Sequence, residues 1–546
     1  MTDIAMTRTP FPDLIDRFVD DLLAADPVVA TLAGRTEHDA ELPDLSAEGH
    51  RRRSAAESAW LDRFRAIRPD ELTADERIDR ELAIMSLRSR QIMHEWGDWL
   101  RSPDAYVQAG LSGVQLLFVH RLRPEPELVE AAAARLAAVP DVLAAARANL
   151  DPELASPLIV GRAVRQARAA VGWARDAVPQ LVADEGARRR LATAGEAAAA
   201  AYDALVIHLE DLAERASGDW AIGAERYDAL LREAEGLDFG SDELHRRGAE
   251  AYDQLAGELR RRSRELRGDE DWAALLDDLS ADHPPTPEAM LDAYAEWSER
   301  ARRFCRERDL MSFAEGEECV VEPAPPFQRG VFAVAYYIRP PAFTGSRTGH
   351  FFVPYPPEDA PPEQVRERLA GNGYAKIPTT AVHEAYPGHH WHLSWAAGQK
   401  SPLRRILSTS YFSEGWALYA EQLLREQGFY TDPRHEVGQL AARLFRAARI
   451  VVDTALHAGR MTYEEAVTHM RTRAGLPEEV ARTEVTRYCA WPTQAASYLT
   501  GALEIERMRD AWVAQGRGPL KEFHDRLAGS GSLPIALAER AVLGEG

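Results

Sequence analysis

Apolar residues recur along this chain with two periods, and the change from one to the other organises the sequence. From Leu128 to Ala216 and from Asp242 to Arg267, apolar positions return every three or four residues among Glu and Arg, the spacing of one buried helix face. Ala, Leu, Glu and Arg dominate these stretches and all favour helix, so the N-terminal half is expected to be a set of amphipathic helices. Proline removes a helix donor and biases the preceding residue away from helix, so the cluster Ala281-Asp282-His283-Pro284-Pro285-Thr286-Pro287 ends that pattern. The expected division is a helical lobe over residues 1–280 and a lobe over 281–546 that carries the chemical motifs, within one integrated body.

Beyond the prolines the period shortens. Val320-Val321, Val331-Phe332-Ala333-Val334-Ala335-Tyr336-Tyr337 and His350-Phe351-Phe352-Val353 are β-branched and aromatic runs split by proline and glycine, which predicts a small antiparallel sheet. A sheet beside a catalytic centre can hold an extended substrate as an added strand, or it can simply brace the helices.

With 546 residues and 45% hydrophobic content the chain can bury a large core. A formal charge of -22 argues against nucleic acid or an anionic membrane as partner, because a phosphate surface needs a basic face. Cys305, Cys319 and Cys489 are too few and too scattered for a disulfide framework or a cysteine metal site, and are expected to be reduced thiols. Met1 to Met6 is not a basic segment followed by an apolar run, and eighteen uncharged apolar residues never occur together. A cytoplasmic protein with no membrane partner is the expectation.

The chemistry is concentrated at His383-Glu384-Ala385-Tyr386-Pro387-Gly388-His389-His390. In the H-E-x-x-H pattern two histidines one helical turn apart share a zinc ion and the glutamate activates its water. Here Pro387 stands where the second histidine would be. On an unbroken helix His389 would sit about 9 Å further along the axis and roughly 120° around, facing away from His383. A bulge at Pro387-Gly388 restores it to the metal, since proline breaks the helix and glycine tolerates unusual angles. His390 is the rival, nearly two whole turns from His383 and back on its face, about 10 Å along. The third ligand is sought in Ser413-Glu414-Gly415-Trp416-Ala417-Leu418-Tyr419-Ala420-Glu421, which offers two glutamates on one helix face. One is expected to ligate and the other to hydrogen-bond a ligand histidine; Glu414 is taken as the ligand and Glu421 as the support.

Together these segments resemble the bacterial "domain of unknown function 885" family, whose hallmarks are H-E-x-x-P-G-H-H and E-G-W-A-x-Y-x-E. The likeness extends to Asp453-Thr454-Ala455-Leu456-His457 and to Pro492-Thr493-Gln494-Ala495-Ala496-Ser497-Tyr498. The family looks like a distant relative of helical zinc peptidases such as angiotensin-converting enzyme, thimet oligopeptidase and carboxypeptidase Taq. The resemblance implies a mainly α, zincin-like body with a central cleft, one zinc ion, and a peptide or small amide substrate. Relatives usually carry glycine where Ala455 and Thr493 stand and lysine where Leu499 stands, departures that bear on substrate preference and not on the metal.

By analogy with those peptidases, Tyr498 is the first candidate to donate to the oxyanion and Tyr488 the second. Arg487 is a candidate grip for a substrate carboxylate, and His390 a candidate substrate contact if it is not a ligand. His457, one turn after Asp453, is a candidate carbonyl donor, with Asp453 as its support or as one half of a buried structural pair. The expected mechanism has Glu384 take a proton from the zinc-bound water and return it to the departing amine.

Overall fold

In the computed structural model, residues 10–325, 328–329, 334–358 and 360–544 are described. They are mainly helical, as the apolar spacing requires. Two compact units emerge: one runs to Asp219 and takes in Ala342–Thr344 and Gln399–Leu407, and the other comprises Trp220–Pro341, Gly345–Gly398 and Ser408–Gly546.

The first unit is built on α1 (Asp104–His120), α2 (Glu125–Asn149), α3 (Pro157–Gly172) and α4 (Glu185–Arg215), whose inner faces share one apolar cluster including Val107, Leu136, Leu143, Ala163, Ala198 and Leu205. The many small alanines on these faces let the helices approach closely. The fully buried Arg135 of α2 is held by backbone carbonyls of Glu41 at 2.9 Å, Pro27 at 3.0 Å and His38 at 3.1 Å, and by Thr31 Oγ1 at 2.7 Å.

The second unit contains α5 (Ser241–Arg267), α6 (Pro287–Glu307), α7 (Ile377–Glu384), α8 (His389–Ala396), α9 (Ser410–Glu426), α10 (Pro433–His457), α11 (Glu478–Ala490) and α12 (Gln494–Ala514). Two glycine contacts set its packing. A Cβ on Gly248 of α5 would lie 2.5 Å from Ile450 Cγ2 of α10, and one on Gly415 of α9 would lie 2.6 Å from the backbone of Gly501 in α12. The boundary expected at 281–287 falls inside this unit. Those prolines start a helix: Pro287 occupies the first turn of α6, where a missing N–H costs nothing, and the Thr286 side chain caps Ala289 N.

β1 (Glu318–Pro323), β2 (Tyr336–Ile338) and β3 (Thr348–Val353) form a sheet in the order β1-β3-β2. It is mixed, not antiparallel as expected: β3 runs antiparallel to β2 and parallel to β1, with Glu318 opposite Thr348 and Pro323 opposite Val353. The alternation of apolar residues specifies a strand but not its neighbour or direction, and here the third run takes the central place. Of the second run, Val331 to Ala333 lies outside the described residues, as do Met1 to Met6.

Candidate metal centre

The helix that carries His383 stops at Glu384. Ala385 leaves helical angles (φ -104°, ψ -92°), the chain folds back so that Gly388 N donates to Val382 O at 3.0 Å, and helix resumes as α8 at His389. A Cβ on Gly388 would lie 1.9 Å from the His383 carbonyl oxygen and 2.3 Å from that of Val382, so the turn requires glycine for space. Trp416 of α9 locks it from the far side, its Nε1 donating to Pro387 O at 2.7 Å. The result places the His389 ring against that of His383, with centroids 4.8 Å apart at 85°.

Glu414 completes the group. Its Oε2 lies 3.5 Å from His383 Nε2 and 3.4 Å from His389 Nε2, and the three donor atoms lie within 4.8 Å of one another. Donors bound tetrahedrally at about 2.0–2.1 Å sit roughly 3.3–3.4 Å apart, which the two separations from Glu414 match, and two imidazoles with one carboxylate would leave a fourth position of such an ion open. α9 can bring Glu414 here because it crosses α12 at Gly415 and Gly501, where side chains would hold the helices apart.

The supporting shell is equally specific. Glu421, two turns along α9 and buried, takes a hydrogen bond from His383 Nδ1 at 2.8 Å, which turns Nε2 toward the shared point and fixes the tautomer. Burial opposes protonation of His383, but the hydrogen bonds to Glu414 and Glu421 and the charge of Glu384 prevail and raise its pKa to about 10. Burial pushes Glu414 upward, yet the positive charge of His389 and hydrogen bonds to both histidines hold it well below the usual carboxylate range. Glu384 stands outside the group of three. Burial raises its pKa, His383 and His389 oppose the rise, and Glu414 adds to it.

His390 is not a ligand, and its role as a substrate contact needs correction. It is fully buried with both ring nitrogens engaged, Nδ1 with Tyr337 Oη at 2.9 Å and Nε2 with Glu317 Oε2 at 2.8 Å. Glu317 also accepts from Tyr386 Oη and, at 2.6 Å, from Arg302 of α6. This buried carboxylate ties α6, the segment before β1 and the Pro-Gly turn together, while the Tyr337 ring of β2 lies 20° from parallel to that of His389. Neither Glu317 nor Tyr337 stands out in the sequence. The only signal was the otherwise unexplained second histidine, which needed a partner.

Of the later candidates, Tyr498 of α12 is half-buried beside the group: burial raises its pKa, followed by the charge of Glu414, and the Arg449 guanidinium lies 4.9 Å from its ring centroid. The structure places the others elsewhere. Tyr488 is buried, donating to Glu484 at 2.7 Å and accepting from Arg449 Nε at 3.1 Å. Arg487 pairs with Glu484 at 3.0 Å and bonds Gln494, so its fork is already taken. His457 is fully buried, with Nε2 3.0 Å from Tyr488 O, and Asp453 accepts from Tyr227 Oη at 2.6 Å. These two form part of a structural polar core, the buried pair that was the alternative reading, with His457 Nε2 3.9 Å from Asp453 Oδ1.

A family profile described as "Bacterial protein of unknown function (DUF885)" matches residues 27–542. No curated protein matches the sequence. Two solved structures share the fold over nearly their whole length. One, from Shewanella oneidensis, is described as a candidate lipoprotein of unknown function; it has 20% identity and a TM-score of 0.80, with 98% of this chain and 100% of that one covered. The other, a candidate lipoprotein from Colwellia psychrerythraea, has 20% identity and a TM-score of 0.82, with 98% of each chain covered. The cytoplasmic location expected above is overturned by these two descriptions, which name both neighbours as lipoproteins. No described helix is long and apolar enough to cross a membrane.

Proposed function

We propose that this chain, which belongs to the DUF885 family of bacterial proteins, is a zinc-dependent hydrolase of peptide or small amide bonds. The observation that carries the reading is the convergence of His383 Nε2, His389 Nε2 and Glu414 within 4.8 Å, with a buried carboxyl, Glu384, directly after the first ligand. His383, His389 and Glu414 would hold the ion, which supplies a polarising charge for the carbonyl and acidifies a water in its open position. Glu384 takes the proton of the attacking water and delivers it to the leaving amine; burial makes it a stronger base than a solvated carboxylate. Tyr498 stabilises the negative charge that develops on the carbonyl oxygen, with Arg449 close to its ring. Glu421 keeps His383 in the tautomer that presents Nε2.

The test is a peptide-library digest, read by mass spectrometry, with zinc-loaded parent and Glu384→Gln proteins. The reading expects cleavage by the parent, a loss of about 10²–10⁴-fold in the variant, and equal zinc content in both. Unimpaired cleavage by the variant would remove Glu384 from the mechanism, and no cleavage by the fully loaded parent would remove the peptidase reading.

A further inference from the structure

The inner face of α10 carries Arg446, Arg449 and Asp453 at spacings of three and four residues, so successive turns present them to the same side. The arginines near that face are engaged with carboxylates, with one exception. Arg449 pairs with Glu484 at 2.7 Å, Arg443 with Glu506 at 2.6 Å, and Arg487 with Glu484 at 3.0 Å. Arg446 forms no ion pair among the described residues: its Nη1 donates only to Ala442 O of its own helix at 3.1 Å, and its Nε is buried without a partner. Its guanidinium carbon lies 5.8 Å from the Tyr498 ring centroid, and its charge acts on both Glu384 and Tyr498.

A half-buried guanidinium with unused donors is a cost to the fold unless something completes it. The group that completes it best is a planar anion taking two parallel N–H bonds. We infer that Arg446, and not Arg487, receives the free C-terminal carboxylate of the substrate, so that the enzyme acts at the C-terminal end of peptides. This rests on the hydrolase reading above. It accounts for a cation kept beside Glu384 and Tyr498 but unpaired, when the neighbouring arginines are neutralised. Peptides whose C-terminus is an amide cannot form the charged pair and are handled poorly.

Binding and cleavage of a tripeptide and of its C-terminal amide separate the possibilities. With the zinc-loaded Glu384→Gln protein, calorimetric titration is expected to show the free acid binding about tenfold or more tightly than the amide, the loss typical of a charged hydrogen-bonded pair. Adding Arg446→Gln should abolish that difference while leaving amide binding unchanged, and Arg446→Lys should restore part of it, which also decides the matter if the glutamine variant does not fold. Equal binding of acid and amide, or an undiminished preference in the Arg446 variants, overturns the assignment. If the parent cuts acid and amide equally, the hydrolase reading stands and this one falls. If it binds and cuts neither while holding zinc, both fall.

Discussion

Thr493 adopts φ +70° at the entry to α12, a conformation in which a β-branched side chain crowds the following carbonyl. The residue stands directly before Gln494, where the helix begins. Thr493→Gly should stabilise the protein by roughly 0.5–1 kcal/mol in denaturant unfolding, the relief of the left-handed cost less the added freedom of the unfolded chain; a lower midpoint would show that the threonine methyl packs better than supposed. Glu421 makes a different contribution at the same scale. Because it sets the His383 tautomer, Glu421→Gln should weaken zinc affinity about 10–100-fold by competition with a chromogenic chelator, with little change in unfolding midpoint of the metal-free protein. Unchanged affinity would mean that the His383 ring is oriented by packing alone.

The α9–α12 crossing shows how element packing governs the site. A Cβ on Gly501 would lie 1.8 Å from Tyr411 O, so Gly501→Ala should push the helices apart, cost about 1–3 kcal/mol, and weaken zinc binding by displacing Glu414. Gly257 of α5 meets only the end of Arg261 at 3.9 Å, and Gly257→Ala should be neutral or stabilising by up to about 1 kcal/mol. Equal responses of the two variants in thermal unfolding and zinc titration would contradict this account of the crossing. At this scale the sequence was legible wherever the signal was local. The Pro387-Gly388 break predicted that His389 returns to His383, because a straight helix forbids it. The apolar runs Val320-Val321 and His350 to Val353 predicted strands that the structure extends to 318–323 and 348–353, but not that β3 would lie parallel to β1, since pairing joins residues some thirty positions apart. The partner of His390 was illegible for the same reason: Glu317 lies 73 residues away in a segment without a pattern.

For the whole molecule, the helical class followed from composition and period, whereas the unit boundary did not. It falls at Asp219 and Trp220, a place without a proline cluster, while the prolines that suggested a boundary initiate α6. Global stability should also carry the mark of a buried acid that has no part in the proposed chemistry, Glu235. Burial raises Glu235 from 4.5 to about 8. The unfolded chain then loses this proton first as pH rises. The stability Glu235 contributes is present below pH 4.5 and is lost between 4.5 and 8, at no more than about 1.4 kcal/mol per pH unit. Glu235→Gln should therefore gain on the parent across that window in denaturant unfolding; a constant difference from pH 5 to 8 would show that Glu235 is ionised in the fold.

The direct measurement for the central claim is the zinc content of chelator-stripped protein after equilibrium dialysis, read by plasma emission for the parent and for His383→Ala, His389→Ala, His390→Ala and Glu414→Gln. The account predicts one tightly held ion per chain in the parent, retention in the folded His390 variant, and loss in the other three. A parent that takes up no zinc, or a folded His389 variant that binds it as tightly as the parent, would contradict it.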